Sequence, residues 1–205
     1  MHSDHFAAVF RRADAPAQRA KFLSRAFGIF SEEIVRIWAT HPDSPYENLG
    51  RPTLVERGTS GRGSTLDFAL RERATHLCFA SEMKCEIEYE RFRYLTLTEV
   101  SQLAHHKRPA FPVFLRACQR DPMLEMRVGG QSMALAGGIL IWGAATAEGR
   151  ALVMEHTGAH DVLTVAGIVE DLRRWKCEAF NDLLESRRRW FTEMTTELLS
   201  GELGT

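Results

Sequence analysis

The sequence predicts an α/β fold in which a mixed central sheet is flanked by helices. Apolar residues recur at intervals of three and four between residues 16 and 40, which is the pattern of an amphipathic helix. Segments 53–57, 65–70 and 76–89 then read as strands, separated by turn-forming residues. One helix followed by three strands is therefore the expected beginning of the fold.

Helices and strands continue to alternate in the second half of the chain. Thr98 is a suitable N-cap for a helix that passes Gln102. Two further strands are predicted at residues 139–142 and 151–156. From residue 161 to 199 the pattern is helical almost throughout, so we expect one long C-terminal helix or a helical hairpin.

Length, composition and charge suit an ordinary globular protein. The chain has 205 residues, 44% hydrophobic and 26% charged, which favours a single domain over residues 1–205. We divide it into a core at 16–157 and a helical extension at 158–205. The formal charge of −1 argues against a strongly basic, non-specific nucleic-acid binder, although it is compatible with a local basic groove.

Neither a membrane span nor a secretory signal is expected. The longest apolar run, residues 134–145, contains three glycines and is too short to cross a bilayer. The N-terminus has no cationic start followed by an apolar segment. The four cysteines lie far apart without a Cys-x-x-Cys pair, which favours a reduced, cytoplasmic protein.

Two carboxylates and a lysine lie on consecutive predicted strands. Asp67 is in the second strand, and Glu82 and Lys84 are in the third. Because side chains on a strand alternate, Glu82 and Lys84 share one face while Met83 points to the other. If the strands pair, Asp67 can join that face. Burying such charges is costly unless they hold a metal or an anion, so a metal site acting on phosphates is the first hypothesis.

This motif and the order of elements resemble the restriction-endonuclease-like superfamily, the PD-(D/E)xK nucleases. Asp67 matches the first motif acid, and Glu82-x-Lys84 matches the second acid and the lysine. The resemblance covers roughly residues 20–157, with the core order helix, three strands, helix, two strands. Leu66 departs from it, since the pattern has proline there. The resemblance implies a metal-dependent nuclease that acts on DNA, with RNA as the alternative substrate.

The resemblance also implies a role for each motif residue. Mg²⁺ prefers oxygen ligands and retains waters, so Asp67, Glu82 and the Met83 carbonyl would hold it, with Mn²⁺ as a substitute. The ion would polarise the phosphoryl oxygens and stabilise the leaving oxygen, while Lys84 would position or activate the attacking water.

Glu33 is a further candidate metal ligand, because superfamily members often supply an acid from the first helix. It lies at the edge of the apolar face of that helix, whereas Glu32 is expected to point away. A solvated surface acid is the alternative role for Glu33.

Three more side chains are candidates for contacts with nucleic acid. Gln102 follows the lysine strand, where related nucleases often place a polar residue near the site. Arg57 precedes and Arg62 lies within the glycine-rich segment 58–63, which lacks the ending of a phosphate-binding P-loop and reads as a hairpin tip. Both could touch a backbone phosphate. The alternatives are a surface glutamine and a flexible turn.

The C-terminal segment predicts an assembly surface. Trp175, Trp190 and Phe191 are bulky for an exposed helix. We expect a homodimer to bury them, and a twofold pair is the commonest protein assembly. In the alternative, these side chains cover the sheet of a monomer.

Two other functions stay open beside the nuclease. The chain could be a catalytically silent relative that serves as a nucleic-acid-binding or assembly module, because fold does not determine function. It could also be an unrelated α/β interaction protein. In that case Asp67, Glu82 and Lys84 form a surface ion-pair ladder of little energetic weight.

Overall fold

The computed structural model describes residues 16–59, 62–88, 93–104, 106 and 109–200, with only the backbone described for 16–24, 88 and 198–200. This part of the chain forms a mixed α/β fold, in which five α-helices flank a mixed sheet. The predicted fold class is confirmed at that level. Residues 1–15 and 201–205 of the predicted domain, and Tyr89 of the third predicted strand, lie outside the described residues.

The helices are α1 (Pro16–Thr40), α2 (Ala110–Cys118), α3 (Ala147–Thr157), α4 (Val165–Arg174) and α5 (Glu178–Ser200), with a 3₁₀ turn at Val100–Leu103. The strands before that turn are β1 (Tyr46–Gly50), β2 (Pro52–Glu56), β3 (Ser64–Thr65), β4 (Phe68–Glu72), β5 (Cys78–Lys84), β6 (Ile87–Glu88), β7 (Arg93–Tyr94) and β8 (Thr96–Leu97). The later strands are β9 (Leu124–Val128), β10 (Gln131–Met133), β11 (Gly137–Trp142), β12 (Ala144–Ala145) and β13 (Asp161–Thr164).

The central sheet has the strand order β1-β4-β5-β11-β13. Strand β4 is antiparallel to β5, so the predicted pairing of the two motif strands is confirmed. Strand β11 runs parallel to β5, and Trp142 lies opposite Lys84. Because of these directions, the start of β4 meets the ends of β5 and β11 at one edge of the sheet. The motif residues lie at that edge.

Two apolar layers cover the two faces of the central sheet. Phe79 and Met83 of β5 point to the layer formed by α1, α4 and the first turn of α5. Ala80 points to the other layer, which contains α2 and a four-stranded antiparallel sheet of order β10-β9-β2-β3. Glu82 follows Ala80 by two residues and is 5% exposed. Alternation along β5 therefore turns this acid toward the second layer.

Helix α1 has the bounds that the sequence predicts, but its buried face is shifted. The fully covered side chains of its second half are Ser31, Ile34, Val35, Trp38 and Ala39. The sequence predicts a stripe through Leu23, Phe27, Phe30, Ile34 and Trp38, of which Ile34 and Trp38 are also on the observed buried face. Small residues at 31 and 39 let the helix pack on that side, which changes the acid it presents to the sheet edge.

Two predictions of element type in the C-terminal half are wrong. Residues 151–156, predicted as a strand, lie inside α3, which begins where the Gly149 amide donates to Thr146 Oγ1 at 3.0 Å. Residues 161–164, predicted as helix, form β13, parallel to β11. Parallel neighbours need a crossover, and α3 supplies it as the helix of a β11–α3–β13 unit.

The predicted long helices are also interrupted. The C-terminal segment bends between α4 and α5, where Lys176 adopts a positive φ of 52° that a continuous helix excludes. The helix predicted from Thr98 consists of the 3₁₀ turn and then α2, which begins after Pro109. None of the described helices has the length and hydropathy of a membrane-spanning segment.

Candidate active site

Asp67 is held against the end of β5 by its own carboxylate. It immediately precedes β4, and its Oδ2 accepts a hydrogen bond from the Met83 backbone N–H at 2.8 Å. Its Oδ1 lies 3.5 Å from Nη2 of Arg51, and the side chain is 18% exposed. Because both contacts involve one carboxylate, Asp67 is placed beside the strand that carries the other two motif residues.

Glu82 and Lys84 form a buried ion pair. The Lys84 ammonium donates to Oε1 of Glu82, and the side chains of Lys84 and Glu82 are 12% and 6% exposed, respectively. Exposed ion pairs contribute little to stability, whereas a buried pair must compensate the desolvation of two charges. The arrangement therefore differs from a solvated ladder on a strand surface.

The ammonium of Lys84 contacts two of the three groups that the resemblance implies as Mg²⁺ ligands, Glu82 and the Met83 carbonyl. Besides Glu82, its Nζ lies 3.4 Å from the Met83 carbonyl oxygen, and the Phe111 ring centroid lies 5.6 Å away. Oxygens that already hold one cation suit the charge of another, and Mg²⁺ prefers carboxylate and carbonyl ligands. The donor set therefore fits the ion chemically.

The fit relies on few side chains. In the described ranges, no group of three or more His, Cys, Asp or Glu side chains is arranged to hold a metal. Two carboxylates and one carbonyl would leave the other coordination positions of the ion to water or substrate. Mg²⁺ usually retains such waters, whereas a structural zinc ion is bound by four protein ligands.

The helix acid that interacts with Asp67 is Glu32 rather than Glu33. Burial raises the pKa of Glu32, and the negative charge of Asp67 raises this pKa further. Glu33 instead accepts two hydrogen bonds from the Arg187 guanidinium, at 2.5 and 3.2 Å. This placement is opposite to the sequence-based expectation that Glu32 points away. The shifted buried face of α1 explains it, because Glu32 then lies at the edge of that face, beside Val35 and Ala39, while Glu33 lies farther from it.

Arg51 is a second neighbour that the sequence analysis missed. Its guanidinium contacts Asp67, and its Nε donates to the Leu66 carbonyl at 3.4 Å. The positive charge of Arg51 partly offsets the rise in the pKa of Glu32 that burial and Asp67 cause. No sequence pattern indicated this residue, because it belongs to no motif and its contacts depend on how the chain passes from β1 of the central sheet to β2 of the four-stranded sheet.

Gln102 has local partners that explain its position without substrate. Its Oε1 accepts hydrogen bonds from the backbone N–H groups of Thr98 and Glu99 at 2.7 and 3.1 Å. Its Nε2 donates to the Thr96 carbonyl at 3.0 Å. These bonds close the 3₁₀ turn, so the side chain is engaged as a cap.

Arg57 and Arg62 lie on the connection between β2 and β3, which pair as an antiparallel hairpin. Both side chains are exposed, and Nε of Arg57 lies 3.5 Å from the Leu124 carbonyl oxygen. Ser60 and Gly61, at the predicted hairpin tip, lie outside the described residues. The two arginines are therefore available on the small sheet rather than around Asp67.

Neutralising Glu32 should stabilise the protein at neutral pH. Its pKa is raised above 4.5 in the folded state, so the folded chain binds more protons than the unfolded chain just above that pH. Stability is then lost as pH rises through the folded-state pKa. We expect Glu32→Gln to raise the melting temperature by on the order of 2 °C at pH 7. The gain should disappear near pH 4, where wild-type Glu32 is largely protonated.

Calorimetry at both pH values tests this, with Glu33→Gln as the matched control on the same helix. Glu33 has its own partner in Arg187, so its replacement should give no gain. A Glu32→Gln protein that melts well below wild type at pH 7 would contradict the assigned surroundings of this acid.

The fold and site together define a mixed α/β protein with acids and a lysine gathered at one edge of the central sheet. Comparison with protein-family models, with curated proteins and with solved structures finds no match to this chain. The function is therefore inferred from the residues of the site.

Proposed function

We propose that the protein is a metal-dependent nuclease that hydrolyses phosphodiester bonds, with DNA as the expected substrate. One observation carries the proposal. The Lys84 ammonium lies on the Glu82 carboxylate and the Met83 carbonyl, next to Asp67 at the same strand end. This edge therefore combines cation-binding oxygens with a positively charged side chain, and hydrolysis of a phosphodiester uses both.

Each residue has a defined task in the proposed reaction. Asp67, Glu82 and the Met83 carbonyl would hold Mg²⁺ or Mn²⁺, with Glu32 as a further acid beside Asp67. The bound ion supplies charge to stabilise the phosphoryl and leaving oxygens. Lys84, released from Glu82 when a metal takes its place, would orient the attacking water.

The chemistry of the neighbouring thiol supports water rather than cysteine as the nucleophile. Cys85 directly follows Lys84, and burial raises the pKa of its thiol to about 12. Since the thiolate is the reactive form, this cysteine is protonated at neutral pH and inert.

The proposal extends to the restriction-endonuclease-like fold and a cytoplasmic location. The central sheet, with α1 on one face and the acids at the edge where β4 and β5 meet, supports that fold. The described cysteines are Cys78, Cys85, Cys118 and Cys177, and all four are free thiols, which suits a reducing compartment.

A cleavage assay tests the function directly. Supercoiled plasmid, duplex and single-stranded oligodeoxynucleotides and a matching RNA are incubated with Mg²⁺, Mn²⁺ or EDTA. Cleavage that requires the metal supports the nuclease. If no substrate is cut with either metal, the chain is the catalytically silent or interaction protein that the sequence left open.

We also propose a homodimer, supported by apolar side chains on α5. Leu184, Trp190 and Phe191 are 38%, 57% and 48% exposed. Trp175, by contrast, stacks on His41 with ring centroids 4.6 Å apart and is partly buried against the core of the chain. The assembly surface therefore differs from the predicted one by this tryptophan.

Replacing Trp190 and Phe191 together by serine should convert the dimer to a monomer. Burial of such rings contributes roughly 25 cal/mol per Å² removed from water, and serine removes nearly all of it. Light scattering after size exclusion measures the change. Leu77→Ser/Met123→Ser is the control, since these side chains are 48% and 55% exposed away from α5. A monomeric wild-type protein at micromolar concentration would contradict the dimer.

A further inference from the structure

The four-stranded sheet presents a row of polar side chains on the face turned away from the core. Leu54 of β2 and Met126 of β9 are buried in the core, so their neighbours Thr53 and Arg127 point outward. The register places Thr65 opposite Thr53, Thr53 opposite Arg127 and Arg127 opposite Ser132. We name these four residues the outer row: Thr65, Thr53, Arg127 and Ser132.

The outer row is continuous with the candidate active site. Thr65 precedes Asp67 by two residues, and Thr53 follows Arg51, which contacts Asp67, by two residues. The hydroxyl oxygens of Thr53 and Thr65 lie 3.4 Å apart. Gly63 permits this close approach, because a Cβ atom there would clash with β2. The outer row therefore begins two residues from Asp67 and two residues from its partner Arg51.

The charge of this face is positive. Arg127 is 46% exposed and Arg57 and Arg62 are exposed. The acid on the same face is Glu125, whose carboxylate accepts from Nε of Arg127 at 2.7 Å. That bond and the charge of Arg127 lower the pKa of Glu125, and a hydrogen bond from Ser132 and the charge of Arg57 lower it further. One carboxylate is thus balanced by one of two neighbouring guanidinium groups, and Arg62 adds to the excess.

Glu56, at the end of β2, is bound on the side of α2 rather than in the outer row. Its Oε1 lies 2.8 Å from Nη1 of Arg116, a guanidinium that also binds Asp121. Its charge is therefore partly balanced outside the outer row. Guanidinium groups and hydroxyls, in turn, are the donors that bind phosphate oxygens in protein–DNA contacts.

We propose that the outer row, with Arg57 and Arg62, binds the phosphodiester backbone of a DNA strand that leads to Asp67. The inference rests on the proposed nuclease function and deepens it by defining where substrate lies. Four neighbouring strands span about 14 Å at about 4.8 Å per step. One strand of B-DNA carries a phosphate about every 3.4 Å of helix axis and winds around that axis, so successive phosphates lie farther apart in space than this rise. A row of about 14 Å is therefore long enough to contact more than one successive phosphate.

Binding in EDTA tests the surface separately from cleavage. A labelled 20-base-pair DNA duplex is titrated with the full chain at several salt concentrations. We expect Arg127→Ala to weaken binding about tenfold and to reduce the salt slope by about one. Arg150→Ala is the matched control, because Arg150 is 48% exposed and also paired, with Asp161. It should bind as wild type.

The outcomes separate the two proposals. Equal binding by the Arg127→Ala, Arg150→Ala and wild-type proteins overturns the outer row as a DNA surface, even if cleavage depends on Glu82. Binding that depends on Arg127 supports the surface, even if the wild-type protein cuts nothing and the nuclease proposal fails. Tighter binding to a matching RNA duplex would overturn the assignment to DNA. Arg127→Lys keeps the positive charge, so it should bind DNA with most of the wild-type affinity. This variant shows that the loss in Arg127→Ala comes from the charge and not from misfolding.

Discussion

Replacing Glu82 with glutamine should lower the rate of metal-dependent DNA cleavage at least about 1000-fold, or about 4 kcal/mol in the activation barrier. The substitution keeps the shape of the side chain but removes the charge that would hold the ion. Asp67→Asn should have an effect of the same size for the same reason. Nicking of supercoiled plasmid with Mg²⁺ measures both.

Glu82→Gln is expected to affect the stability of the fold more than Asp67→Asn. A loss of cleavage in both variants therefore cannot be explained by unfolding alone. Glu82→Gln deprives the buried Lys84 of its counter-charge, so its fold must be checked by circular dichroism at the assay temperature. Asp67 pairs with Arg51, which is 55% exposed, so Asp67→Asn should fold like wild type.

Glu47→Gln is the control for loss of a carboxylate elsewhere on the sheet. Glu47 lies on β1 and pairs with Arg71, which is opposite it in the register. This variant should cut at the wild-type rate. Cleavage at that rate by Glu82→Gln and Asp67→Asn would remove these residues from the proposed site.

The arrangement of the motif strands was predictable because it depends on local geometry. Alternation along one strand is enough to place Glu82 and Lys84 on a common face, and their ion pair agrees with it. The pairing of β5 with the preceding strand, β4, needs only a short connection between them. The amino-acid sequence is therefore sufficient to locate this part of the candidate site.

The acid that α1 contributes could not be predicted, because it depends on contacts distant in sequence. Glu33 is engaged by Arg187, 154 residues away, and Glu32 lies close enough to Asp67 and Arg51 for their charges to shift its pKa. The apolar stripe of α1 alone defines the direction of the buried face around the helix axis only to within about one residue, or about 100°. An error of that size is enough to exchange Glu32 and Glu33.

The C-terminal half shows the same limit for element type. Residues 161–164 are a short segment that suits either a strand or the start of a helix. In the folded chain, residues 161–164 form a strand because they pair in parallel with the edge of β11. Helix α3 then becomes the crossover between them, although residues 151–156 alone resemble a strand.

Removing one partner of the Glu82–Lys84 pair should cost far more stability than removing both. Glu82→Met leaves an ammonium that is 12% exposed beside Phe111, and Lys84→Met leaves a carboxylate that is 6% exposed. Each single change should lower the free energy of unfolding by about 3 to 5 kcal/mol, because a buried charge loses its partner. The double change to methionine removes both desolvation costs, so we expect a result within about 1 kcal/mol of wild type.

Urea denaturation of the four proteins gives the coupling between the two side chains, provided the slope with denaturant is unchanged. Single losses below about 1 kcal/mol, or a double loss equal to their sum, would show that the ion pair is not formed in the folded protein. A double variant that is stable but does not cut DNA would separate the two roles of the pair. Methionine would then suffice for the fold, so the charges at this edge of the sheet would be required by the chemistry alone.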